Sequence, residues 1–433
     1  MPDSAAPPAR RRGWRGAIAL YGDRRLLFIL LMGFASGLPL PLTLATLSFW
    51  LARVGVDKTA IGLFALVGLP YGLKFIWAPV MDHLRAPGLG RVFGRRRGWA
   101  LLTQAALIAA ILALGASDPL AAPWLTAAAA LAVAFFSASQ DIVIDAYRIE
   151  ILEDFEQGAG AAATQTGYRI GALVAGAGAI ALSDFIGWFA VFAILAGFVL
   201  IGTAAVLLAP EPEAAAARPG LSRADWLETA VVAPFTDFLH RPGWLAILVF
   251  ILLYKFGDAI GGVMANPFFV ELGFSGVEIA SITKVFGLLA TFGGIVVGGA
   301  LVARYGLFPA LAIGGVLQAA TNLLYAAQAH IGHDILFLTV TIGADNFTGG
   351  LGSAAFVAYL SGLCNRAFTG TQFALLTSLM AVGRTVLSSG GGWLADRMDW
   401  IAFFSLTAVL AVPGLLLLLW LARQRPPADA PRA

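Results

Sequence analysis

The sequence is poor in the residues on which most soluble enzymes and metalloproteins depend. Its 433 positions contain one cysteine, four histidines and only 12% charged residues. The single Cys364 excludes a disulfide within the chain, and His330 and His333 have Asp334 as their one acidic neighbour, which is too little for a metal site. No Gly-Lys dipeptide occurs, which excludes the phosphate-binding loop of an ATP-driven pump. We therefore expect no metal, no cofactor and no enzymatic activity.

What the sequence has in abundance is long apolar stretches, with 59% hydrophobic residues overall. Runs of roughly 20 apolar residues cross a bilayer as helices, and backbone amides inside a bilayer must be satisfied within the chain. The predicted fold class is an all-α membrane protein of about twelve transmembrane helices. The predicted spans are 26–50, 59–80, 99–116, 121–146, 161–183, 187–209, 242–266, 277–303, 307–327, 335–361, 369–391 and 400–422.

Basic residues divide unevenly between the two membrane faces. If both termini share one face, that face carries 20 Lys and Arg residues, and the opposite face carries Arg53, Lys58 and Arg397. The excess of basic residues on cytoplasmic loops predicts that both termini are cytoplasmic. The net charge of +3 arises in these loops, beside anionic headgroups, so the expected partner is the lipid bilayer and not a nucleic acid.

A polar break separates two halves of similar length. Residues 210–241 contain Pro210, Pro212, an alanine run and Pro219-Gly220. Apolar residues recur at helical spacing within this segment, which favours an amphipathic helix on the membrane surface. The predicted domains are a basic tail at 1–25, six-helix bundles at 26–209 and 242–422, the linker at 210–241 and a second tail at 423–433.

The two halves also resemble each other in sequence. Ala146-Tyr147 precedes Arg169 in the fifth span, and Ala358-Tyr359 precedes Arg384 in the eleventh, about 212 residues later. Two parallel six-helix repeats are the arrangement of major facilitator transporters, whose substrate site lies at midmembrane between the halves. The fold is therefore predicted to be of the major facilitator type, with two six-helix halves.

The loop after the second span occupies the place of that superfamily's cytoplasmic Gly/Asp/Arg signature. Here Asp82 is followed by Arg95, Arg96 and Arg97. An acid at a helix end that faces guanidinium groups makes a charge latch that can be released between two conformations. The alternative is that these arginines only set the topology.

Nine ionisable side chains lie inside the predicted spans. One charge at a helix centre costs about 2.5 to 3.5 kcal/mol, so nine left facing lipid would cost on the order of 25 kcal/mol. These groups must therefore face one another, water or a ligand. They are Lys74, Asp141, Asp145, Arg169, Lys255, Asp258, Lys284, Asp345 and Arg384.

Asp141 and Asp145 lie on one face of the fourth span, four residues apart. Two carboxylates this close do not both ionise easily, which suits a group that binds and releases a proton. Proton coupling is one interpretation of the pair. In the other, Arg148 or Arg169 neutralises the carboxylates and locks helices together.

Three further cations have both a binding and a structural interpretation. Arg169 and Arg384 occupy equivalent places in the repeat and could approach a central cavity from opposite sides, where their planar forks suit carboxylates. Bracing between helices is the alternative. Lys255 can pair with Asp258 within one helix turn, and such a structural salt bridge is the default interpretation, although cargo could also use Lys255.

Beyond the superfamily pattern, the chain resembles the AmpG muropeptide permease family. The similarity runs through both halves, from about residue 26 to 422. It rests on GFASGLP at 33–39, GRRRGW at 94–99, SASQDIVIDA at 137–146, GAGA at 158–161, LAPEP at 208–212, AVVAP at 230–234, LYKFGDA at 253–259, GLLAT at 287–291, QFALL at 372–376 and AVGR at 381–384.

This resemblance implies a bacterial inner-membrane importer. Its cargo would be N-acetylglucosaminyl-1,6-anhydro-muramyl peptides from cell-wall recycling, carried by proton symport with alternating access, and the imported material can feed β-lactamase induction. A carrier or exporter of another anionic sugar- or nucleotide-linked solute stays open as the alternative. We expect a monomer. The predicted substrate-binding residues are Arg169, Arg384, Lys255, Asp258, Lys284, Asp345, Asn346, Gln140, Tyr168 and Gln165.

Overall fold

The computed structural model of the protein describes residues 14–56, 63–213, 228–275, 278–279, 281–388 and 390–424. Helices occur at each of the twelve predicted spans. We number them α1 (Arg24–Arg53), α2 (65–83), α3 (Arg95–Gly115), α4 (Pro123–Ile151), α5 (157–182), α6 (Trp188–Leu208), α7 (Trp244–Glu271), α8 (Ser281–Tyr305), α9 (Leu307–Ile331), α10 (Ile335–Gly362), α11 (Thr369–Ser388) and α12 (Trp400–Arg423).

Eight of these helices are long and apolar enough to cross a membrane on that basis alone, within the residues described. The remaining four are α2, α5, α10 and α11. They are also the helices that carry Lys74, Arg169, Asp345 and Arg384. For α2 the reason is length, since its apolar helix covers only Leu66–Ile76.

Several helices are broken where the chain must leave regular geometry. The helix α1 is interrupted at Leu38 and Leu44, around a short segment that begins at Pro39. The helix α7 is interrupted between Leu253 and Phe256, which leaves Lys255 as the residue that precedes its second segment. Segments of π-helix occur at Val174–Gly178 in α5 and at Ser281–Phe286 in α8. Such irregular turns are often found at functional sites.

Small residues allow the helices to approach closely. In the first half, a side chain at Gly33 or Gly167 would overlap the backbone of the facing helix, since α1 and α5 are in direct contact there. In the second half, a side chain at Gly294 of α8 would meet the carbonyl oxygen of Phe347 in α10 at 1.8 Å. Close backbone contact of this kind is how membrane helices associate without a hydrophobic driving force.

The two halves pack against each other mainly through α5 against α8 and α10, and through α11 against α2 and α4. Near the face where α1 begins and α12 ends, Gly158 of α5 lies against Val302 and Gly299 of α8. We call this the terminal face of the protein. The two halves therefore meet closely at the terminal face, and the predicted arrangement of two six-helix halves is confirmed.

A short helix, Ala233–Leu239, precedes α7 and lies against the start of α11. Gln372 donates to the carbonyl of Pro234 at 2.9 Å and to Asp237 at 2.8 Å. Partial burial opposes the charge on Asp237, but hydrogen bonds from Gln372, Asn365 and Arg241 hold the pKa of this carboxyl below its usual value. Residues 214–227, which include the start of the predicted amphipathic helix, lie outside the described part of the chain, so the linker boundaries stay a prediction.

Candidate transport cavity and gate

A cavity of about 540 Å³ lies between the two halves. Its wall is formed by α5 of the first half and by α7 to α12 of the second. Among the predicted binding residues, seven line it, and these are Gln165, Arg169, Lys255, Asp258, Asp345, Asn346 and Arg384. The structure thus gathers into one chamber residues that are as much as 219 positions apart in the sequence.

Arg169 and Arg384 reach this chamber from opposite halves, one on α5 and the other on α11. Neither forms an ion pair within 4.0 Å with any described residue, and both interact electrostatically with Lys255. Two guanidinium groups without an anionic partner in a membrane interior are costly unless water or an anion meets them. Their arrangement suits a cargo that brings its own carboxylates.

The break in α7 turns Lys255 into the chamber. Its Nζ donates to Ser353 Oγ at 3.2 Å and to the carbonyl oxygen of Gly349 at 3.4 Å, both on α10. Asp258 Oδ2 lies 4.0 Å away, at the limit of an ion pair. The predicted pairing of Lys255 with Asp258 is therefore present but loose, and Lys255 also braces α7 against α10.

Two polar residues of α10 complete the opposite wall. Asp345 accepts hydrogen bonds from Tyr325 at 3.1 Å and from Thr321 at 3.5 Å, both on α9. Asn346 is bound within the second half, because it accepts from Thr291 at 3.0 Å and donates to the carbonyl oxygen of Ile342 at 3.0 Å. The spare capacity of Asp345 is for accepting hydrogen bonds only, whereas Asn346 can still both accept and donate.

Some predicted binding residues lie elsewhere. Gln140 is fully buried in α4, and neither of its amide atoms has a hydrogen-bond partner among the described residues. Tyr168 lies near Tyr71 and the carboxylates of α4. Both residues are outside the set that lines the described cavity. The side chain of Lys284 lies outside the described part of the structure.

The two carboxylates of α4 have different partners. Asp141 accepts a hydrogen bond from Ser36 of α1 and interacts electrostatically with Lys74, which is only 8% exposed. Asp145 also interacts electrostatically with Lys74, but it lies in addition 3.7 Å from the guanidinium of Arg148, and its side chain is 19% exposed. Asp141 is thus the carboxylate without an arginine partner. The role of Lys74 beside it was not foreseen from the sequence, because 67 positions separate the two residues.

Arg148 provides a second connection between the halves near the terminal face. It is fully buried and lies 5.3 Å from the ring centre of Phe373 on α11. It also donates weakly to Gln157 at 3.4 Å. A buried guanidinium over an aromatic ring is attracted by the negative face of that ring. Arg148 therefore links α4 to α11 while it neutralises Asp145.

The predicted latch contains Asp82 and Arg96, and its third element comes from the other half. Arg96 Nη2 lies 2.7 Å from Asp82 Oδ1, and both side chains are buried. The same carboxylate accepts from the backbone amides of Gly370 at 3.0 Å and Thr371 at 2.6 Å, at the first turn of α11. An anion at a helix N-terminus satisfies the free amides there and is favoured by the helix dipole.

Glu150 is the member of the latch that sequence reasoning missed. Its carboxylate accepts from Arg96 Nε at 3.0 Å and from Thr369 of α11, and Arg95 lies 3.4 Å from it. Glu150 falls beyond the predicted end of the fourth span, so its sequence position gave no sign of this role. Arg95 and Arg96 therefore both contact Glu150, and Arg96 also contacts Asp82, while their gating role stays a prediction.

Arg97 has a different position from the one predicted. Its guanidinium donates to the carbonyl oxygens of Val206 at 2.8 Å and Leu207 at 2.7 Å, at the end of α6. Its backbone amide donates to Glu211 at 3.0 Å. Arg97 thus holds α3 against α6 within the first half, because the three consecutive arginines point in different directions from one helical turn.

Comparison with known proteins agrees with this geometry. The sequence matches the Major Facilitator Superfamily over residues 27–331 and 251–433. It is 42% identical to the anhydromuropeptide permease of Escherichia coli K12 over 93% of this chain and 80% of that protein. The chain belongs to the AmpG permease family of the Major Facilitator Superfamily. It is also 34% identical to the putative transporter AmpG 4 of Rickettsia conorii, over 93% of this chain and 97% of that one.

Solved structures support the fold alone. The Escherichia coli fucose:proton symporter FucP superposes with a TM-score of 0.66 at 12% identity, over 96% of this chain and 100% of that one. The predicted fold class and the prediction of a membrane transporter, as opposed to an enzyme, are confirmed by these matches. In this member of the family, a charged chamber lies between the halves, and Asp82, Arg96 and Glu150 join the halves at the terminal face.

Proposed function

We propose that the protein imports N-acetylglucosaminyl-1,6-anhydro-muramyl peptides across the bacterial inner membrane by proton symport. The observation that carries this proposal is the central cavity, into which Arg169 and Arg384 project from opposite halves without an anionic partner among the described residues. A peptide-bearing amino sugar offers separated carboxylates for these guanidinium groups and hydroxyl groups for amides such as Gln165 and Asn346. The 42% identity to an anhydromuropeptide permease supports this class of cargo.

The distribution of basic residues supports a cytoplasmic location for the terminal face and for both termini. The latch of Asp82, Arg96, Glu150 and the first turn of α11 then lies on the cytoplasmic side. With that side held together, the chamber would be reached from the periplasm. In this scheme residues 210–241 link the bundles, and the protein works as a monomer whose halves rock about the chamber.

Asp141 is the proposed proton carrier. Its neighbours are a hydroxyl, that of Ser36, and the ammonium group of Lys74, while Asp145 is engaged by Arg148. A buried carboxylate can be neutralised by a proton or by a neighbouring cation. A change in the distance between Lys74 and Asp141 during rocking would therefore change how readily this carboxyl takes up a proton.

The direct test is uptake of labelled anhydro-muropeptide into proteoliposomes, with and without an imposed pH gradient. We expect accumulation above the equilibrium level only when the outside is acidic, together with proton entry that depends on cargo. Equal uptake in both conditions would exclude proton symport. Uptake of another anionic sugar- or nucleotide-linked solute, without uptake of the muropeptide, would favour the alternative cargo class.

A further inference from the structure

A short segment before α1 connects the first half to the second at the terminal face. It consists of a helix at Trp14–Ala19 and a turn at Leu20–Gly22, and the helix contacts α8. We call residues 14–25 the N-terminal strap. The hydroxyl of Tyr21 donates a hydrogen bond to the carbonyl oxygen of Val296 in α8 at 2.9 Å. A second polar contact thus joins the two halves, and it involves other helices than the latch does.

The ring of Tyr21 enters the interface between the halves. It packs against a small buried cluster that is formed by Ala162 of α5, Ile295 of α8 and Ala354 of α10. A side chain at Gly299 of α8 would collide with the Tyr21 hydroxyl, so the glycine leaves the space that this hydroxyl occupies. One aromatic side chain from the strap therefore contacts helices of both halves, and its seat on α8 depends on a residue without a side chain.

The strap is fixed to the first half on both sides of Tyr21. Leu20 is buried in a core cluster that consists mainly of first-half residues. On the other side, Arg25 forms an ion pair with Glu156 at 2.7 Å and donates to the carbonyl oxygen of Ile151 at 3.2 Å. These two partners lie at the end of α4 and just before α5. We therefore expect the strap to move together with the first half.

Opening of the terminal face breaks the bond between Tyr21 and Val296. At this face α5 and α8 are in contact through Gly158 and Gly299, so the halves cannot part there without separating these two helices. Because the strap is held by the first half, the hydroxyl cannot follow α8. Burial raises the pKa of Tyr21, so its hydroxyl stays protonated and able to donate the bond while the face is closed.

We propose that Tyr21 is a gate residue of the terminal face. Its hydroxyl holds α8 against the first half while that face is closed, and it leaves Val296 each time the halves rock apart. The inference rests on the rocking mechanism of the proposed function and adds to it a residue that lies outside the twelve membrane helices. The strap and the latch act on different pairs of helices, so both must release before the terminal face can open.

The experiment measures how often the terminal face opens, through the reaction of Cys364 with a water-soluble maleimide. Cys364 belongs to the second half and lies near Arg148 of the first, away from the contacts of the strap with α5 and α8. In Tyr21→Phe the ring stays and only the hydroxyl is lost. We expect labelling to be roughly fivefold faster, as for the loss of one neutral hydrogen bond. The matched control is Tyr147→Phe, which removes a 2.9 Å bond to the carbonyl oxygen of Pro210 without involving the second half. Its labelling rate should stay unchanged.

A second variant tests the anchor of the strap. Arg25→Gln removes the ion pair with Glu156, so the strap can follow α8 and labelling should again be faster. Because the hydroxyl of Tyr21 and the anchor at Arg25 are links of one connection, the double variant should be labelled no faster than the faster single variant. An additive increase would mean that the two residues act independently, and it would overturn the strap.

The remaining outcomes separate the strap from the function on which it rests. Labelling of Tyr21→Phe at the rate of the unmodified protein would overturn the inference, and so would an equal acceleration in Tyr147→Phe. None of these measurements requires cargo. Failure of the unmodified protein to take up the muropeptide would therefore count against the proposed function, whereas the labelling rates alone decide whether Tyr21 holds the terminal face closed.

Discussion

At the residue scale, the charges inside the membrane fall into three groups with different surroundings. The α4 acids have a lysine and an arginine beside them, Lys255 lies among acceptors of α7 and α10, and Arg169 and Arg384 have no anion within reach among the described residues. A guanidinium stays charged at every relevant pH, whereas a carboxyl can be neutral. Asp141 and Asp145 are therefore outside the chamber lining, whereas Asp258 and Asp345, which can also be neutral, share the chamber with the two arginines.

Substitution of either cavity arginine by lysine should weaken peptide-bearing cargo selectively. Lysine keeps the charge and loses the planar fork, so Arg169→Lys and Arg384→Lys should each raise the apparent KM for the muropeptide roughly tenfold. The KM for the peptide-free disaccharide should change little. Parallel uptake curves for the two ligands provide the measurement, and Arg53→Lys at the opposite face is the matched control. Equal effects on both ligands would favour the bracing interpretation of these arginines.

Replacement of Asp141 by asparagine should uncouple transport from the gradient. Asp141→Asn removes the proposed proton site and keeps the size of the side chain. We expect gradient-driven accumulation to disappear while exchange of labelled for unlabelled muropeptide across the membrane continues. Both are measured in the same proteoliposome preparation. The control is Asp184→Asn, which alters an exposed carboxylate paired with Arg53. Accumulation at the level of the unmodified protein would exclude Asp141 as the carrier.

At the element scale, the sequence was sufficient to place all twelve helices but not their irregularities. The third span was predicted at 99–116 and is observed at Arg95–Gly115, because an apolar run and a polar break determine the membrane crossing. The fourth was predicted to end at 146 and continues to Ile151. Its last turn carries Arg148 and Glu150, which look like loop residues in sequence but contact distant parts of the fold, Arg148 at Phe373 and Glu150 at Arg96.

Part of the site was also predictable from the sequence. A charged residue inside an apolar run can be recognised from its sequence neighbours, and seven of the ten binding residues predicted in this way line the chamber. Which charges pair is decided by contacts across the fold. The hydrogen bond from the amide of Thr371 to Asp82 joins positions that are 289 residues apart, and no local sequence pattern predicts it. The break in α7 at Lys255 also has no proline to mark it.

The contact between α8 and α10 offers a test of close helix packing. In Gly294→Ala the added methyl would lie 1.8 Å from the carbonyl oxygen of Phe347, so the helices must separate. We expect destabilisation by about 1 to 3 kcal/mol, as for overpacking elsewhere, and a thermal midpoint in detergent lower by several degrees. Gly197→Ala in α6 meets nothing within 4 Å and should leave the midpoint unchanged or raise it slightly. A midpoint for Gly294→Ala equal to that of the control would mean that the helices separate without cost.

At the scale of the whole molecule, the residues of the latch join the two halves at the terminal face. Asp82 and Glu150 of the first half accept hydrogen bonds from the first turn of α11 in the second half. Arg96 forms ion pairs with both acids. Because these bonds involve charged groups, each is worth about 1.5 to 3 kcal/mol. The loss of one such bond is therefore sufficient to shift a balance between two conformations by roughly a factor of ten or more.

Cys364 is a natural reporter of this shift. It is the only cysteine in the chain and lies near Arg148 and Asp82 at the terminal face. In Gly370→Ala the new methyl would approach Asp82 Oδ1 to 2.7 Å and disrupt the latch. We expect Cys364 to react roughly tenfold faster with a water-soluble maleimide, because the halves part more often.

The control for this measurement is Gly362→Ala, at the end of α10, where an added side chain meets nothing within 4 Å. Its labelling rate should equal that of the unmodified protein. If Gly370→Ala were labelled no faster than this control, the bonds between Asp82 and α11 would not hold the terminal face closed.

A single uninterrupted helix connects the latch to the cargo. Thr371 and Arg384 both belong to α11, thirteen residues or about 20 Å apart along one axis. If the helix moves as one rigid rod, we expect an anion that draws Arg384 toward the middle of the chamber to strain the bonds between the first turn of this helix and Asp82, so that the arrival of cargo itself loosens the closed end.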